Sequence, residues 1–329
     1  VEQLFNLPGV AFDHGAMVDK MKTLYRTKFG SALTKQVQTR LVELGYNCGE
    51  PDGRAGANTR WAVRAFQLIA GYLVDGRVDE TLLARLKAAT EKAPQGFTEP
   101  IKSVQEGPVV YKSVMTSTRL AESVEFYLAN KDRLALLEAT YQVPPDIAVG
   151  LLSVETRVGK YLGEDHVFVT LASMAMCTDY SLLVPGLTED GFFERENPSA
   201  DQLEWLVKRT AQKAEWAYKE LIGLITHATD NGHDITKIVG SIYGAIGICQ
   251  FMPSNAVKFG VDGNADGVVD LFNPDDAIMS LGNYLVEHGW EQGLSEERQR
   301  KVLYRYNHSK TYVNTIMAVA EHVRTQAGE

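Results

Sequence analysis

A carboxyl group donates a proton near neutral pH only if its surroundings keep it uncharged. Glu155 is placed where the sequence can arrange that. It closes the run Pro144-Pro145-Asp146-Ile147-Ala148-Val149-Gly150-Leu151-Leu152-Ser153-Val154-Glu155-Thr156-Arg157-Val158-Gly159. The prolines and Asp146 read as a helix start and Gly159 as its stop. Almost every position between them is apolar, with no polar stripe, so the helix is expected to be buried all round. Burial disfavours the charged carboxylate, and the negative end of the helix dipole adds to the effect in the last turn. Glu155 is therefore a candidate general acid. The plainer alternative is a glutamate that extends to solvent or pairs with Arg157.

Two further strings carry groups suited to a carbohydrate. In Gly244-Ala245-Ile246-Gly247-Ile248-Cys249-Gln250-Phe251-Met252-Pro253-Ser254 the small residues admit close approach of a backbone or ligand, and Gln250 offers a donor and an acceptor together. The competing reading is a tight helix–turn packing site. Tyr304-Arg305-Tyr306-Asn307-His308-Ser309-Lys310-Thr311-Tyr312 concentrates aromatic faces with polar tips, which suit a sugar ring with its rim of hydroxyls. Its alternative is a helix start whose tyrosines seal the core. A fourth string, Asp262-Gly263-Asn264-Ala265-Asp266-Gly267-Val268-Val269-Asp270, matches the first half of a calcium loop. Asp262, Asn264 and Asp266 supply side-chain oxygens, Gly267 the sharp turn and Val268 a backbone carbonyl. The bidentate glutamate that would close such a loop is replaced by Asn273, and an Asx/Gly turn without an ion is the alternative.

These groups need elements to hold them. Met17 to Phe29 fits an amphipathic helix ending at Gly30. Leu33, Val37, Leu41 and Leu44 share a helical face that stops at Gly45. After a turn-rich stretch, Asn58 and Thr59 can cap a second helix bearing Trp61, Ala62, Ala65, Phe66 and Ile69. Asp79 caps a third with Leu82, Leu83 and Leu86. Residues 91–110 hold Pro94, Gly96, Pro100, Gly107 and Pro108 and read as a linker. From Thr116 a helical pattern runs to Ala139 and into the Glu155 helix, and another spans about Asp201 to Asn231. No strand pattern longer than a few residues follows.

The chain has 329 residues, 45% hydrophobic and 23% charged, which is length for two domains. No apolar run reaches the ~20 residues of a membrane span. The net charge of −9 and the lack of a basic cluster argue against nucleic acid. Cys48, Cys177 and Cys249 are scattered and form no CxxC, which excludes a disulfide framework and a thiolate zinc site and leaves one disulfide open. Val1 in place of an initiator methionine suggests that an N-terminal segment has been removed.

Residues 33–88 resemble the peptidoglycan-binding domain of cell-wall enzymes. The matching residues are Val37-Gln38, Leu44-Gly45-Tyr46, Asp52-Gly53, Gly56, Thr59-Arg60, Ala65-Phe66-Gln67, Asp75-Gly76 and Val78-Asp79-Glu80-Thr81-Leu82. Most determine the fold, and the zinc-binding histidines of hydrolytic relatives have no counterpart, which implies a binding module. Glu155-Thr156-Arg157, Gly244 to Ser254, Asn283-Tyr284 with Glu287-His288-Gly289-Trp290, and Tyr306-Asn307 closely resemble the lytic murein transglycosylase B family over roughly residues 111–325. The segment between Cys177 and Ile238 departs from that family's Phe-Phe-Arg pattern and leaves part of the groove wall unassigned.

Together the resemblances imply a mainly α-helical protein. Its parts are an unassigned segment 1–32, a three-helix peptidoglycan-binding domain at 33–90, a linker at 91–110 and a lysozyme-like catalytic domain with an EF-hand-like loop at 111–329. They imply cleavage of the MurNAc–GlcNAc bond with 1,6-anhydromuramyl ends, Glu155 acting as acid and then base. Ser241, Gln250, Tyr284, Tyr306, Asn307 and Tyr312 would line the sugar subsites. One structural calcium is expected at Asp262, Asn264, Asp266, Val268 and Asp276, the last taken from the longer loop of the family, with no organic cofactor. The expected partner is the peptidoglycan glycan strand and the expected location the periplasm or cell envelope. Two competing readings are a hydrolytic muramidase or chitinase-like enzyme and a wall-binding protein without activity. Glu155 has no acidic neighbour in its own motif, and a single acid fits substrate-assisted cleavage better than a two-carboxylate glycosidase.

Overall fold

The computed structural model describes residues 11–94 and 108–328. In chain order its helices are α1 (Gly15–Phe29), α2 (Ala32–Glu43), α3 (Ala57–Ile69), α4 (Glu80–Ala88), α5 (Ser117–Ala129), α6 (Lys131–Tyr141), α7 (Pro145–Thr156), α8 (Val167–Met176), α9 (Val184–Glu189), α10 (Phe192–Glu196), α11 (Ala200–Asp230), α12 (Pro253–Phe259), α13 (Pro274–Glu287), α14 (Glu296–Tyr306) and α15 (Lys310–Ala327). Two short strands, β1 (Asp165–His166) and β2 (Val239–Gly240), pair antiparallel. The chain divides into two units. One comprises Asp13–Glu106 with Cys177–Ala214, the other Val1–Phe12, Gly107–Met176 and Glu215–Glu329. Most of the linker expected at 91–110, and the first ten residues, lie outside the described residues.

In the first unit, α2, α3 and α4 close around Val37, Leu41, Leu44, Phe66, Leu82 and Leu86. Two buried glutamines frame this module with the same device. Gln38 Nε2 donates to Asp52 (2.9 Å) while its carbonyl accepts from Gly53 N–H (2.7 Å). Gln67 Nε2 donates to Asp75 (2.7 Å) while its carbonyl accepts from Gly76 N–H (2.9 Å). Each amide satisfies a turn that would otherwise leave buried polar groups unpaired. Gly56 rather than Asn58 or Thr59 sits at the start of α3. The Thr59 hydroxyl is already engaged, with Gln38 Nε2 at 3.0 Å and the Arg54 carbonyl at 3.3 Å, so it is not free to cap.

Residues 177–214, the first part of the segment that departs from the family pattern, belong to this same unit. Phe192 on α10 packs edge-on against Tyr25 on α1 (5.1 Å), Lys22 pairs with Asp190 (2.8 Å) and Arg26 with Glu196 (2.9 Å). The Glu196 carboxylate also accepts from Ala32 N–H (2.9 Å) at the start of α2. That satisfies an orphan donor and places a negative charge at the positive end of the helix.

The second unit is organised around α7. Ile147, Ala148, Val149, Leu151 and Leu152 are wholly enclosed, as the missing polar stripe predicts. Helix α15 lies so close that a Cβ on Gly150 would stand 2.7 Å from the Ile316 carbonyl oxygen. Only glycine permits that distance without moving backbone. Asp146 in the first turn of α7 is buried and accepts from Arg324 of α15 through Nη2 (2.6 Å) and Nε (2.9 Å). The two helices are thus joined at the α7 N-terminus by an ion pair and at mid-length by van der Waals contact.

Helix α7 ends at Thr156, not at Gly159. Arg157 and Val158 both take left-handed conformations (φ 55° and 52°), and Val158 N–H reaches back to the Leu152 carbonyl at 3.0 Å. Thr156 fastens this turn, its hydroxyl donating to the Ile248 carbonyl (2.8 Å) and accepting from Gly159 N–H (3.0 Å). The helical stretch from Thr116 is likewise two helices. Asn130 ends α5 by returning both its side-chain amide (2.8 Å) and its backbone N–H (3.1 Å) to the Phe126 carbonyl. The one disulfide left open does not form, since no two of the three buried cysteines are bonded to each other.

Candidate active site

Glu155 occupies the penultimate position of α7, and the first turn of α15 brings Tyr312 to it. The Tyr312 hydroxyl donates to Glu155 Oε1. Arg157, the alternative partner, faces away and forms a bidentate pair with Glu122, both contacts at 2.5 Å. Burial pushes the Glu155 carboxyl up to about 7, and the hydrogen bond from Tyr312 acts in the opposite direction without prevailing. Among the described residues no other carboxylate contributes to the rise. The residue is nonetheless half-buried rather than sealed, so the carboxyl is densely surrounded yet reachable. The Tyr312 phenol is itself raised well above its ordinary value by burial and then by the neighbouring Glu155, so it stays a donor across the working range.

An aromatic series continues from this pair. The Tyr306 ring lies parallel to Tyr312 at 6.5 Å, Tyr284 meets Tyr306 at 4.9 Å, and His288 stacks on Tyr284 at 3.9 Å. The Tyr306 hydroxyl donates to the Cys249 carbonyl, which ties α14 to the loop before α12. Tyr284 and Tyr312 are buried, so their ring faces pack on protein. The Cys249 thiol, enclosed and pushed up to about 12 by desolvation, is a neutral packing group.

The remaining candidates are anchored differently. Gln250 takes a left-handed conformation (φ 50°) and donates through Nε2 to the carbonyls of Gly247 (3.0 Å) and Leu162 (3.4 Å). The Ser241 hydroxyl accepts from Ala245 N–H (3.0 Å) and closes its own turn. Both belong to the loop that Thr156 ties to α7 through Ile248. Gly244, at φ 90°, turns the chain against Leu171 rather than opening onto free space. Asn307 is exposed at the end of α14 beside Tyr306. The structure therefore brings Glu155, Tyr312, Tyr306 and Tyr284 together, sets Ser241 and Gln250 in an adjoining loop, and leaves Asn307 at the surface.

Two neighbours escaped the sequence reading. Tyr111 stands with its hydroxyl 3.3 Å from Ser309 Oγ, at the start of α15, and its phenol bears electrostatically on Tyr312. Arg119 donates through Nη2 to the Ser153 carbonyl near the α7 C-terminus. Tyr111 follows a proline- and glycine-rich stretch, and Arg119 is an ordinary polar position on an amphipathic helix, so neither carried a local signal.

In the 262–276 loop, Asp262 accepts from the N–H groups of Gly267 (2.7 Å) and Asp266 (3.2 Å), and Asn264 Oδ1 from Asp266 N–H (3.0 Å). Asp266 accepts from Val268 N–H (2.9 Å). Asp276 is fully buried, with Gly263 N–H at 2.9 Å and Asp270 N–H at 2.7 Å on its two oxygens. Its carboxyl is pushed up first by burial and further by the negative charges of Asp262 and Asp266. These hard oxygen donors and their mutual repulsion fit a bound cation, although among the described residues no three acidic, histidine or cysteine side chains converge to coordination distance.

Comparison with known proteins gives this geometry its context. Residues 76–301 match the Transglycosylase SLT domain family. The chain belongs to that family. Residues 30–86 match a peptidoglycan binding domain, and the two matches overlap over 76–86. Escherichia coli membrane-bound lytic murein transglycosylase B is 30% identical over 209 residues, which is 63% of this chain and 49% of that protein. This SLT-domain chain thus spans about half the length of the curated relative it matches. Among solved structures it resembles the Escherichia coli lytic transglycosylase Slt35 in complex with calcium, at 21% identity and a TM-score of 0.54 over 82% of this chain and 94% of that one. It also resembles the soluble lytic transglycosylase SltB1 of Pseudomonas aeruginosa, at 20% identity and a TM-score of 0.54, covering 82% and 99%. These likenesses establish the lysozyme-like transglycosylase fold.

A carboxyl raised from 4.5 to about 7 in the folded state makes stability fall as pH rises. The cost is absent below the unfolded value and complete above about 7, where a buried charge must be kept at about 3 kcal/mol. Glu155→Gln removes that charge while keeping the shape. The variant is expected to be more stable than the parent at pH 8 and to lose that advantage by pH 4.5. Urea denaturation at both pH values checks it, and an unchanged difference between them contradicts the burial account.

Proposed function

We propose that the chain is a lytic transglycosylase of the cell envelope that cleaves the MurNAc–GlcNAc bond of peptidoglycan and leaves 1,6-anhydromuramyl ends. The observation that carries this reading is the Glu155 carboxyl, raised to about 7 by its surroundings and bonded by Tyr312, with no second carboxylate acting on it among the described residues. Family membership supports the substrate class, and the match of residues 30–86 supports a wall-binding module in residues 33–90, joined by 91–110 to the catalytic part. Protonated Glu155 donates to the glycosidic oxygen as the bond to the leaving sugar breaks. The N-acetyl carbonyl of MurNAc stabilises the cationic centre. Glu155, now ionised, takes the proton of the C6 hydroxyl, and that oxygen closes the anhydro ring without water. Tyr312 helps at this point, because its hydrogen bond favours the carboxylate that the first step creates. Tyr284 and Tyr306 hold Tyr312 and the Cys249 loop in register, and Ser241, Gln250 and Asn307 present polar groups to the sugars.

Incubating purified sacculi with the parent and with Glu155→Gln tests the reading by mass spectrometry and sedimentation. The parent is expected to release products one water lighter than muramidase products. The variant should sediment with the sacculi through the small module and lose at least ~10²-fold in activity. Reducing-end MurNAc as the main product, or a folded variant that still cuts, contradicts it.

The 262–276 loop is proposed to hold one structural calcium through Asp262, Asn264, Asp266, the Val268 carbonyl and Asp276. The charge convergence on buried Asp276 supports this, as does the calcium complex of a fold neighbour. Calcium would neutralise the acidic loop that precedes α13, the helix bearing Tyr284. Ion binding to the folded form alone stabilises it by mass action. Excess calcium is therefore expected to raise the thermal midpoint over that in chelator, and Asp262→Ala to abolish the response. Identical midpoints in both conditions contradict occupancy.

A further inference from the structure

Glu220 is a buried acid with no part in the chemistry assigned to Glu155. It lies in the second half of α11 with 6% of its surface accessible, and both of its oxygens are taken by one residue. Ser254 N–H donates to Oε2 and the Ser254 hydroxyl to Oε1, each at 3.0 Å. Three positions further along α11, a Cβ on Gly223 would stand 2.8 Å from Ser254 N and 3.0 Å from the Pro253 carbonyl carbon. Residues three apart share a helix face. That face of α11 thus offers Pro253-Ser254 a glycine for close approach and a carboxyl for hydrogen bonding. If packing alone were needed here, an apolar side chain would serve without the cost of burying a polar group. The pair of directed bonds fixes a position.

What is fixed is the end of the loop that carries Gln250. At φ 50° Gln250 holds a left-handed conformation, which a residue other than glycine keeps only when its surroundings enforce it. Before Gln250 the loop is fastened by the Ile248 and Cys249 carbonyls, which accept from the hydroxyls of Thr156 and Tyr306. After it, Phe251 pairs with Ile246, N–H to carbonyl at 3.1 Å and in return at 2.8 Å, which closes the loop on itself. Among the described residues, the next hydrogen bonds from the loop to a distant element are those of Ser254 to Glu220. Gln250 is therefore held between anchors on α7 and α14 on one side and an anchor on α11 on the other. Without the α11 anchor, Met252-Pro253-Ser254 can shift and let Gln250 relax out of its left-handed conformation. Its Nε2 would then leave the carbonyls of Gly247 and Leu162 that orient the amide.

We propose that Glu220 is a positioning residue that acts through Ser254 to hold Gln250 where its amide meets the sugars, a role that rests on the sugar contact proposed for Gln250. Calorimetric titration of the full chain with the β-1,4-linked tetramer of N-acetylglucosamine tests it. Ser254 is exposed, so water can replace the lost acceptor and Glu220→Ala is expected to fold. It should weaken the tetramer ~10-fold, and in a Gln250→Ala background it should add nothing further, because the group it positions is gone. Glu220→Gln should bind within about 2-fold of the parent, its carbonyl accepting from Ser254 N–H and its amide donating to the hydroxyl. Ser254→Ala removes only the hydroxyl bond and should weaken binding about 3-fold. The Glu155 midpoint should stay near 7 in Glu220→Ala, which a general loosening of the domain would lower. Unchanged affinity in Glu220→Ala and Ser254→Ala while Gln250→Ala binds weakly overturns the proposal and leaves the sugar contact of Gln250 standing. Additive losses from Glu220→Ala and Gln250→Ala, or equal losses in Glu220→Ala and Glu220→Gln, also overturn it. Full binding by Gln250→Ala contradicts the sugar contact itself, and the proposal falls with it.

Discussion

The approach of α15 to α7 is the constraint on which the candidate site depends. At Gly150 the two backbones come within a distance that a methyl group would forbid, and this sets Tyr312 where its hydroxyl reaches the Glu155 carboxyl. The same packing removes water from that carboxyl. Desolvation then raises its proton affinity more than the Tyr312 hydrogen bond lowers it. Packing and acidity are therefore one property here. Any loosening of the α7–α15 contact admits water, lowers the carboxyl toward its ordinary value and separates it from the phenol.

A second theme is how buried polar atoms are used to fix loops that the core alone would not specify. Thr156 ties the end of α7 to Ile248, Tyr306 ties α14 to Cys249, and Gln38 and Gln67 each close an Asp-Gly turn in the small module. A buried amide or hydroxyl left unpaired is costly, so each of these bonds selects one loop conformation over its alternatives. The candidate site needs this because its segments come from distant parts of the chain. The Asp262–Asp276 loop works by the opposite logic, gathering the negative charges of Asp262 and Asp266 beside a carboxyl, Asp276, that burial already disfavours as an ion.

Local chemistry made much of the fold legible. The apolar run from Ile147 to Leu152 fixed α7 as a buried helix, and the Leu, Val and Phe spacing with its Asp-Gly turns fixed α2, α3 and α4. What escaped depended on distant partners. Residues 177–214 gave weak patterns because several bonds that fix them, Lys22–Asp190, Arg26–Glu196 and Ala32 N–H to Glu196, reach α1 and the start of α2, more than 150 positions earlier. Arg157 and Val158 turn left-handed against their own preferences because Thr156 is pinned by Ile248, which no reading of residues 150–159 reveals. At the site, Glu155 was identified by its own helix and Tyr306 and Tyr312 stood in a string marked by its aromatic chemistry, whereas Tyr284 was found through resemblance. That Tyr284 and Tyr312 are enclosed, with faces on protein, follows from three helices meeting and is not written in any one of them.

The central claim is that burial, not a second charge, keeps Glu155 protonated at neutral pH. Carbon-13 titration of the glutamate side-chain carboxyls, with the Glu155 resonance assigned by its loss in Glu155→Gln, measures this directly. The account predicts a midpoint near 7 for Glu155. A midpoint at or below the ordinary 4.5 would contradict it, since the carboxyl would then be ionised at neutrality and have no proton to donate.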